Sequence, residues 1–392
     1  MKGTKRLLLI LGGIAAFVIL FSQCINNERQ GTPITDSSYA GTKSCIQCHK
    51  AIYENYALNP HNKASTSIEG KNLGTGKKPA SAVYAFDEHF KIAVEDRDSG
   101  MYQTVYIDDQ PELSRRFDVA IGAGKNAITY GSWKDNNLYQ MQLSYFSGIN
   151  DWANSPGYPN KRIHFGRMIS SGCLECHASM AKQKTETQGG LIISQQLLKS
   201  SLVYGINCER CHGPSGKHVE FHAQHPEVKM AKYMAQYRSL SRKQKTDACA
   251  LCHSGSDLMM KPTFGFKPGD RLEDYTGNED LSKDTPNPDV HGQQYQMLSG
   301  SKCYTNSATL DCSTCHSMHE RPAKSLSAYS KNCVSCHTTI KHSGKTLQNA
   351  MVKSNCIDCH MPRQNSKAIS FQMAGKSERS PYQLRTHLIK VY

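Results

Sequence analysis

Apolar residues are scarce in this chain of 392: they make up 38% of it, aromatics only 8%, and there are two tryptophans. Mean hydropathy is −0.56. A chain this long with so little apolar material either stays partly disordered or fills its interior with something other than side chains. Other absences narrow the chemistry. There is no phosphate-cradling glycine loop, no flavin or nicotinamide fingerprint, no nucleophile elbow and no paired acid/base carboxylate motif, which removes the common nucleotide-dependent and hydrolytic mechanisms. No basic run interleaves with aromatics, so nucleic-acid binding is not expected. No fixed-period repeat is present, so the chain is not a solenoid.

Cysteine is the exception. There are 16, and 14 of them fall in one motif repeated seven times. The copies are Cys45-Ile-Gln-Cys48-His49, Cys173-Leu-Glu-Cys176-His177, Cys208-Glu-Arg-Cys211-His212, Cys249-Ala-Leu-Cys252-His253, Cys312-Ser-Thr-Cys315-His316, Cys333-Val-Ser-Cys336-His337 and Cys356-Ile-Asp-Cys359-His360. Two thiols at this spacing reach the two vinyl groups on one porphyrin edge and form thioethers. The following histidine then lies under the ring and ligates its iron. One such motif in a cytosolic chain reads as a zinc half-site, and many cysteines in an exported chain read as disulfides. Seven copies, each closed by histidine, point instead to seven c-type haems. Seven porphyrins would also supply the apolar interior that the composition lacks.

The formal net charge is +14. Removing Lys2, Lys5 and Arg6 with the N-terminal segment leaves +11. Against the propionates and ferric centres of seven haems, that becomes about −3 reduced and about +4 oxidised. The basic excess is thus assigned to propionates rather than to an anionic partner.

Residues 1–24 carry those three basic residues, then an unbroken apolar run from Leu7 to Phe21, the pattern of an export signal. The run is short for a spanning helix, which needs roughly 20 residues. Two readings stand: a lipoprotein signal with Cys24 lipidated, although Gln23 is an unusual predecessor, or an uncleaved N-terminal anchor. Both place the remainder on the periplasmic side of a bacterial membrane and tied to it.

Along the chain, 25–40 reads as a polar tether and 41–80 as the first haem segment, with a helical stretch running to His61. Residues 81–150 contain no cysteine and alternate apolar with polar between turn signals such as Asp98-Ser99-Gly100, which predicts a small antiparallel β subdomain. Residues 151–392 read as a hexahaem region poor in strands, with one long helix expected over 226–244. The expected fold class is mainly α with extensive loops wrapped around seven haems, plus the inserted β subdomain, α+β overall.

Ten histidines lie outside the motifs, enough to cap every iron. His61, His218, His291, His319 and His387 are the leading candidates for distal iron ligands, followed by His164 and His342. His89 falls on a predicted strand and reads as structural; His222 and His225 read as surface residues. Capping decides function, because a doubly ligated iron passes electrons whereas an open face binds and transforms a small molecule.

The chain resembles the multihaem cytochromes that carry a cytochrome c-552/4 (cytochrome c-554-like) domain. The matching stretches are GTKSCIQCHKAIYENYALNPH (41–61), SGCLECHASM (171–180), INCERCHGPSGKHV (206–219), CALCHSGSD (249–257) with GFKPGDRLEDY (265–275), DVHGQQYQMLSGSKCY (289–304), DCSTCHSMHE (311–320) and NCIDCHMP (355–362). The resemblance implies stacked haem pairs in a periplasmic electron-transfer protein. It also implies distal ligation by His61, His218, His291 and His319, with His387 in a similar C-terminal place. Cys303 stands where such proteins tend to carry methionine and is expected to be a small buried apolar residue. No Cys-x-x-Cys-Lys motif is present, which argues against a lysine-ligated catalytic haem.

The expected function is electron carriage through packed haems, with a quinol-oxidising membrane complex or other cytochromes as redox partners. The alternative is a multihaem oxidoreductase acting on a small nitrogen or sulfur compound at a five-coordinate haem.

Overall fold

The computed structural model describes residues 39–73, 82–159, 162–255, 260–277, 287–323, 325–339, 342, 344, 352 and 354–392. The export segment, Cys24 and most of the tether lie outside the described residues. Among the described residues no helix is long and apolar enough to cross a membrane.

Two antiparallel sheets dominate the first half. Strand β1 (Ser65–Ser67) joins β6 (Val119–Ile121), β7 (Ala127–Lys134), β9 (Leu143–Phe146) and β10 (Asp151–Asn154) in one sheet, with β8 (Asn137–Gln140) paired to β7. The second sheet runs β2 (Val83–Ala85), β3 (Phe90–Arg97), β4 (Gly100–Ile107) and β5 (Gln110–Arg116) in chain order. Their register follows from alternation and tight turns. The β4–β5 turn places Asp108 and Asp109 at positive φ, a conformation Asp tolerates and hairpin turns require. Between the sheets lies an aromatic core in which Phe117, Tyr130 and Trp152 contact one another. Its members include Ile92, Val94, Tyr130, Met141 and Leu143, all fully buried.

The second half contains three further two-stranded sheets: β11 (Ala178–Met180) with β14 (Val203–Tyr204), β12 (Gln183–Gln188) with β13 (Leu191–Leu197), and β15 (Arg363–Phe371) with β16 (Ser380–Arg385). The mainly α expectation is therefore wrong. About 27% of the chain is helical and 28% is strand, so neither class leads. The Cys-x-x-Cys-His motifs occupy short helical segments, several of only one turn, while β12–β13 pairs as a hairpin between the second and third motifs and β15–β16 as one after the seventh.

The expected helix over 226–244 also fails. That stretch is irregular apart from a 3₁₀ turn at Tyr237–Ser239, and Tyr233 sits at positive φ. The helix begins only at Arg242, where Ser241 and Gln244 form a capping box, and it runs through His253. The first helix spans Thr42–Tyr56 and departs from helical geometry at His49. His61 lies beyond it, in the turn that follows Pro60.

The β15–β16 hairpin docks on the first half. Phe371 and Tyr382 pack on Phe146. Tyr84 Oη donates to the Gln372 carbonyl at 3.0 Å, and Arg379 donates to the carbonyls of Ser155 and Tyr158 at 3.0 and 2.7 Å. This docking fixes the segment that carries His360 before the hairpin and His387 after it.

Candidate functional site

Three of the seven motifs share a local geometry. Motifs three, four and seven end short helices at Cys208–His212, Arg242–His253 and Ile357–His360. A spacing of three along a helical turn puts both sulfurs on one face. Capping side chains start several of these turns. Asn207 accepts from the Arg210 N–H, Asp311 from that of Ser313, and Ser325 from that of Ala328, which satisfies backbone donors that a helix start leaves open.

The motif histidines meet histidines from distant parts of the chain. Ring centroids of His49 and His218 are 6.4 Å apart, His61 and His253 6.2 Å, His212 and His319 5.8 Å, His316 and His387 6.2 Å, and His342 and His360 6.2 Å. With a metal–nitrogen bond of about 2 Å and about 1 Å from nitrogen to ring centre, two axial imidazoles stand about 6 Å apart. Ordinary aromatic packing also covers this range. What discriminates is composition, since each of these five pairs joins one motif histidine to one non-motif histidine. The contact of two non-motif histidines, His218 with His222, is closer at 4.6 Å.

Imidazole protonation suits ligation. Burial first, then the neighbouring charges of His253 and His316, push His61 down to about 4. Burial and the histidines around His212 take it to about 4 as well, and burial with His316 and His253 does the same for His387. Burial likewise lowers His177, His218, His253, His291 and His316. All are neutral at pH 7, the form that binds metal. His253, His291 and His316 nonetheless reach solvent.

Orientation is fixed by the second ring nitrogen. His218 Nδ1 meets the Lys232 carbonyl at 2.9 Å, and His360 Nδ1 meets that of Lys390 at 2.9 Å. A carbonyl only accepts, so each Nδ1 carries the proton and Nε2 keeps its lone pair. His61 Nδ1 pairs with Asn59 Oδ1 at 3.2 Å. Asn59 is buried, and its Nδ2 donates to the carbonyls of Met318 and Glu320 at 3.1 and 2.7 Å, tying the His61 turn to the loop that carries His319. Gly205 lets this turn approach, because a Cβ there would lie 2.3 Å from the Asn62 carbonyl oxygen. Neither Asn59 nor Gly205 was singled out by sequence; the only cue was Asn59-Pro60 ahead of His61.

The remaining candidates differ. His291 lies within electrostatic reach of His177 and His253, and its N–H is held by Asp289 Oδ1 at 2.7 Å. His164 packs on Tyr158, and its N–H is bound by Gln142 Oε1 at 2.8 Å; it is not brought against a motif histidine ring. His89 is exposed and pairs with Asp108 at 2.6 Å. His225 lies by Glu227. Cys303 is half-buried rather than fully enclosed.

Thiols of different motifs adjoin. Cys45 lies beside Cys208, Cys176 beside Cys252, Cys249 beside Cys312 and Cys333 beside Cys356. The described cysteines form no disulfide, and among the described residues no three His, Cys, Asp or Glu side chains converge on a metal-ion site. Cys-x-x-Cys-His motifs whose histidines face a second imidazole fit c-type haem, and the described residues offer no tetrahedral zinc site.

Comparison with known proteins agrees. The family model for cytochrome c554 and c-prime matches residues 44–91 and 157–213; the break between them falls across β3 to β10. The multiheme cytochrome MtrA of Shewanella baltica (strain OS185) is 24% identical over 200 residues, which is 49% of this chain and 46% of that protein. The chain thus spans less than half the length of that relative. Among solved structures, the outer cell wall cytochrome OcwA shares the fold, with a TM-score of 0.53 at 16% identity over 90% of this chain and 79% of that one. The motifs, the facing imidazoles and these matches support a multihaem c-type cytochrome.

Proposed function

We propose that the chain is an exported heptahaem electron carrier, tied to the periplasmic side of a bacterial membrane by lipid on Cys24 or by an uncleaved N-terminal helix. The observation that carries this reading is the set of five facing histidine pairs, each spanning the distance that an axially ligated iron needs. Thioether attachment is assigned to the fourteen motif cysteines, and proximal ligation to His49, His177, His212, His253, His316, His337 and His360. Distal ligation is assigned to His218, His61, His319, His387 and His342 through the pairs above, and to His291 opposite His177. When bound, the haems supply one-electron redox chemistry. The protein would space them and offer a second imidazole to six of the seven irons.

The adjoining thiols support a continuous path. They link motif one to three, two to four, four to five and six to seven. Cys211 lies within electrostatic reach of Cys252, and Cys315 of Cys333, which joins three to four and five to six. The order is thus a line through one, three, four, five, six and seven, with two as a side branch. Partners are redox proteins, a quinol-oxidising membrane complex or other cytochromes. The test is expression in a haem-attaching host. The mass should exceed the polypeptide by seven haems, and the spectrum should be predominantly low-spin. A colourless product of bare polypeptide mass overturns the proposal.

One observation favours a second reading. His337 is exposed, and among the described residues no histidine ring contact is made to it. A haem there with an open face would give the oxidoreductase alternative. Carbon monoxide added to the reduced protein should then shift about one haem in seven, whereas no shift leaves the carrier reading alone.

A further inference from the structure

We propose that Glu209 and Arg210, the two residues between the cysteines of the third motif, form a buried charge couple. It makes the haem of motif one harder to reduce and those of motifs two and four easier. The proposal deepens the electron-carrier reading and rests on it.

Charged residues are rarely buried without partners, yet Glu209 is 3% exposed and Arg210 9%. They point to opposite sides. The Glu209 carboxylate accepts N–H bonds from Ala40 at 2.7 Å, Gly41 at 2.8 Å and Ser215 at 3.0 Å. Gly41 caps the helix that carries motif one, and its carbonyl receives Cys45 Sγ at 3.6 Å. Arg210 reaches the other way. Its guanidinium donates to the Thr263 carbonyl at 2.6 Å, to Thr263 Oγ1 at 2.8 Å and to the Glu175 carbonyl at 2.9 Å. That last carbonyl precedes Cys176 of motif two and also receives Cys252 Sγ of motif four at 3.7 Å. Arg210 therefore touches the point where motifs two, three and four meet, stacked over Phe264 at 5.3 Å.

Its acceptors are carbonyls and a hydroxyl, and among the described residues no carboxylate lies within ion-pair distance of it. Glu175 is buried nearby, but its carboxylate is engaged by the Thr263 N–H at 2.9 Å. Arg210 shares the Glu175 carbonyl with Cys252 Sγ, next to Cys176, while Glu209 holds the N–H of Gly41, whose carbonyl meets Cys45 Sγ. These sulfurs mark where the porphyrin edges attach. A buried negative charge favours the ferric state and a buried positive charge the ferrous state, with little solvent screening. Two adjacent residues thus slope the potential downhill for an electron passing from motif one toward motifs two and four.

A purely structural Arg210 would serve only as a three-bond staple. Lysine separates the roles, since it keeps the charge and loses the planar fork. The experiment is a spectroelectrochemical titration of the holoprotein, in which each step adds one electron to one ferric centre, with haem loading checked by mass. Arg210→Gln should move a subset of haems to more negative potential, by about a tenfold change in the oxidised-to-reduced ratio at fixed poise, or about 59 mV for one electron. Glu209→Gln should move a different subset to more positive potential. Arg210→Lys should stay near the parent curve.

Fully loaded Gln variants that superimpose on the parent overturn the proposal, as does Arg210→Lys moving as far as Arg210→Gln. Should Arg210→Gln fail to accumulate, Glu209→Gln decides alone, and no positive shift there overturns the proposal. Failure of the carrier reading shows earlier and separately, as a parent protein that carries no haem.

Discussion

The two halves of the molecule are stabilised by different materials. The sheets β1–β10 enclose a continuous side-chain core with three mutually touching aromatics. The motif-bearing half has smaller clusters, one of them only Ala250, Leu251, Phe266, Leu272 and Tyr275, and many of its inward side chains are cysteines and neutral histidines. Apolar burial contributes about 25 cal/mol per Å², so the first half can hold itself together, while under the proposed haem loading the second would depend on cofactor surface and iron ligation. The difference accounts for the low apolar content, because side-chain core is concentrated in the stretch without Cys-x-x-Cys-His motifs.

The comparison is broken most severely by withholding haem. Expression without attachment machinery should leave amides of β3, β4 and β7 protected from hydrogen exchange, while helices at 208–212, 242–253 and 357–360 exchange freely. Uniform protection, or uniform loss, would erase the distinction. Trp152→Ala should then destabilise the sheets by about 3–5 kcal/mol. The far-UV transition in denaturant moves and the Soret transition stays; a Soret transition displaced equally would show one cooperative unit. Asn59→Ala acts at the seam and should cost about 1–3 kcal/mol through the buried partners it abandons, read in the Soret transition. The smallest effect is spectroscopic. His218→Ala should create one high-spin haem per chain and His164→Ala none, as measured by electron paramagnetic resonance. A high-spin signal from the His164 variant would reassign the ligand set.

What could be read from the sequence follows the same division. The motifs were legible because thioether chemistry dictates cysteine spacing regardless of fold. His61, His218 and His319 were legible because each lies close to a motif in sequence, although the ring each one faces belongs to a different motif. The turn of Asn59 and Gly205 was not, since its meaning lies in contacts with the distant residues 317–320 and 62. The helix expected over 226–244 failed for a related reason. Met230, Tyr233, Met234 and Tyr237 have helical spacing, but Met230 and Tyr233 are exposed. The backbone there instead offers the Lys232 carbonyl to His218, while Tyr237 Oη donates to the Cys211 carbonyl at 3.0 Å. The β12–β13 hairpin turns at Gly189-Gly190, both at positive φ, a local turn signal at odds with the strand-poor region expected there.

The crossed histidine pairs carry a consequence for biogenesis. Under the proposed export and ligation, the motif around His49 would emerge early but wait for His218, and His61 would wait longer still for His253. The final pair, His342 with His360, closes almost at once. Maturation cannot run to completion from the N-terminus: the first haem attached remains half-ligated while more than a third of the chain is still arriving.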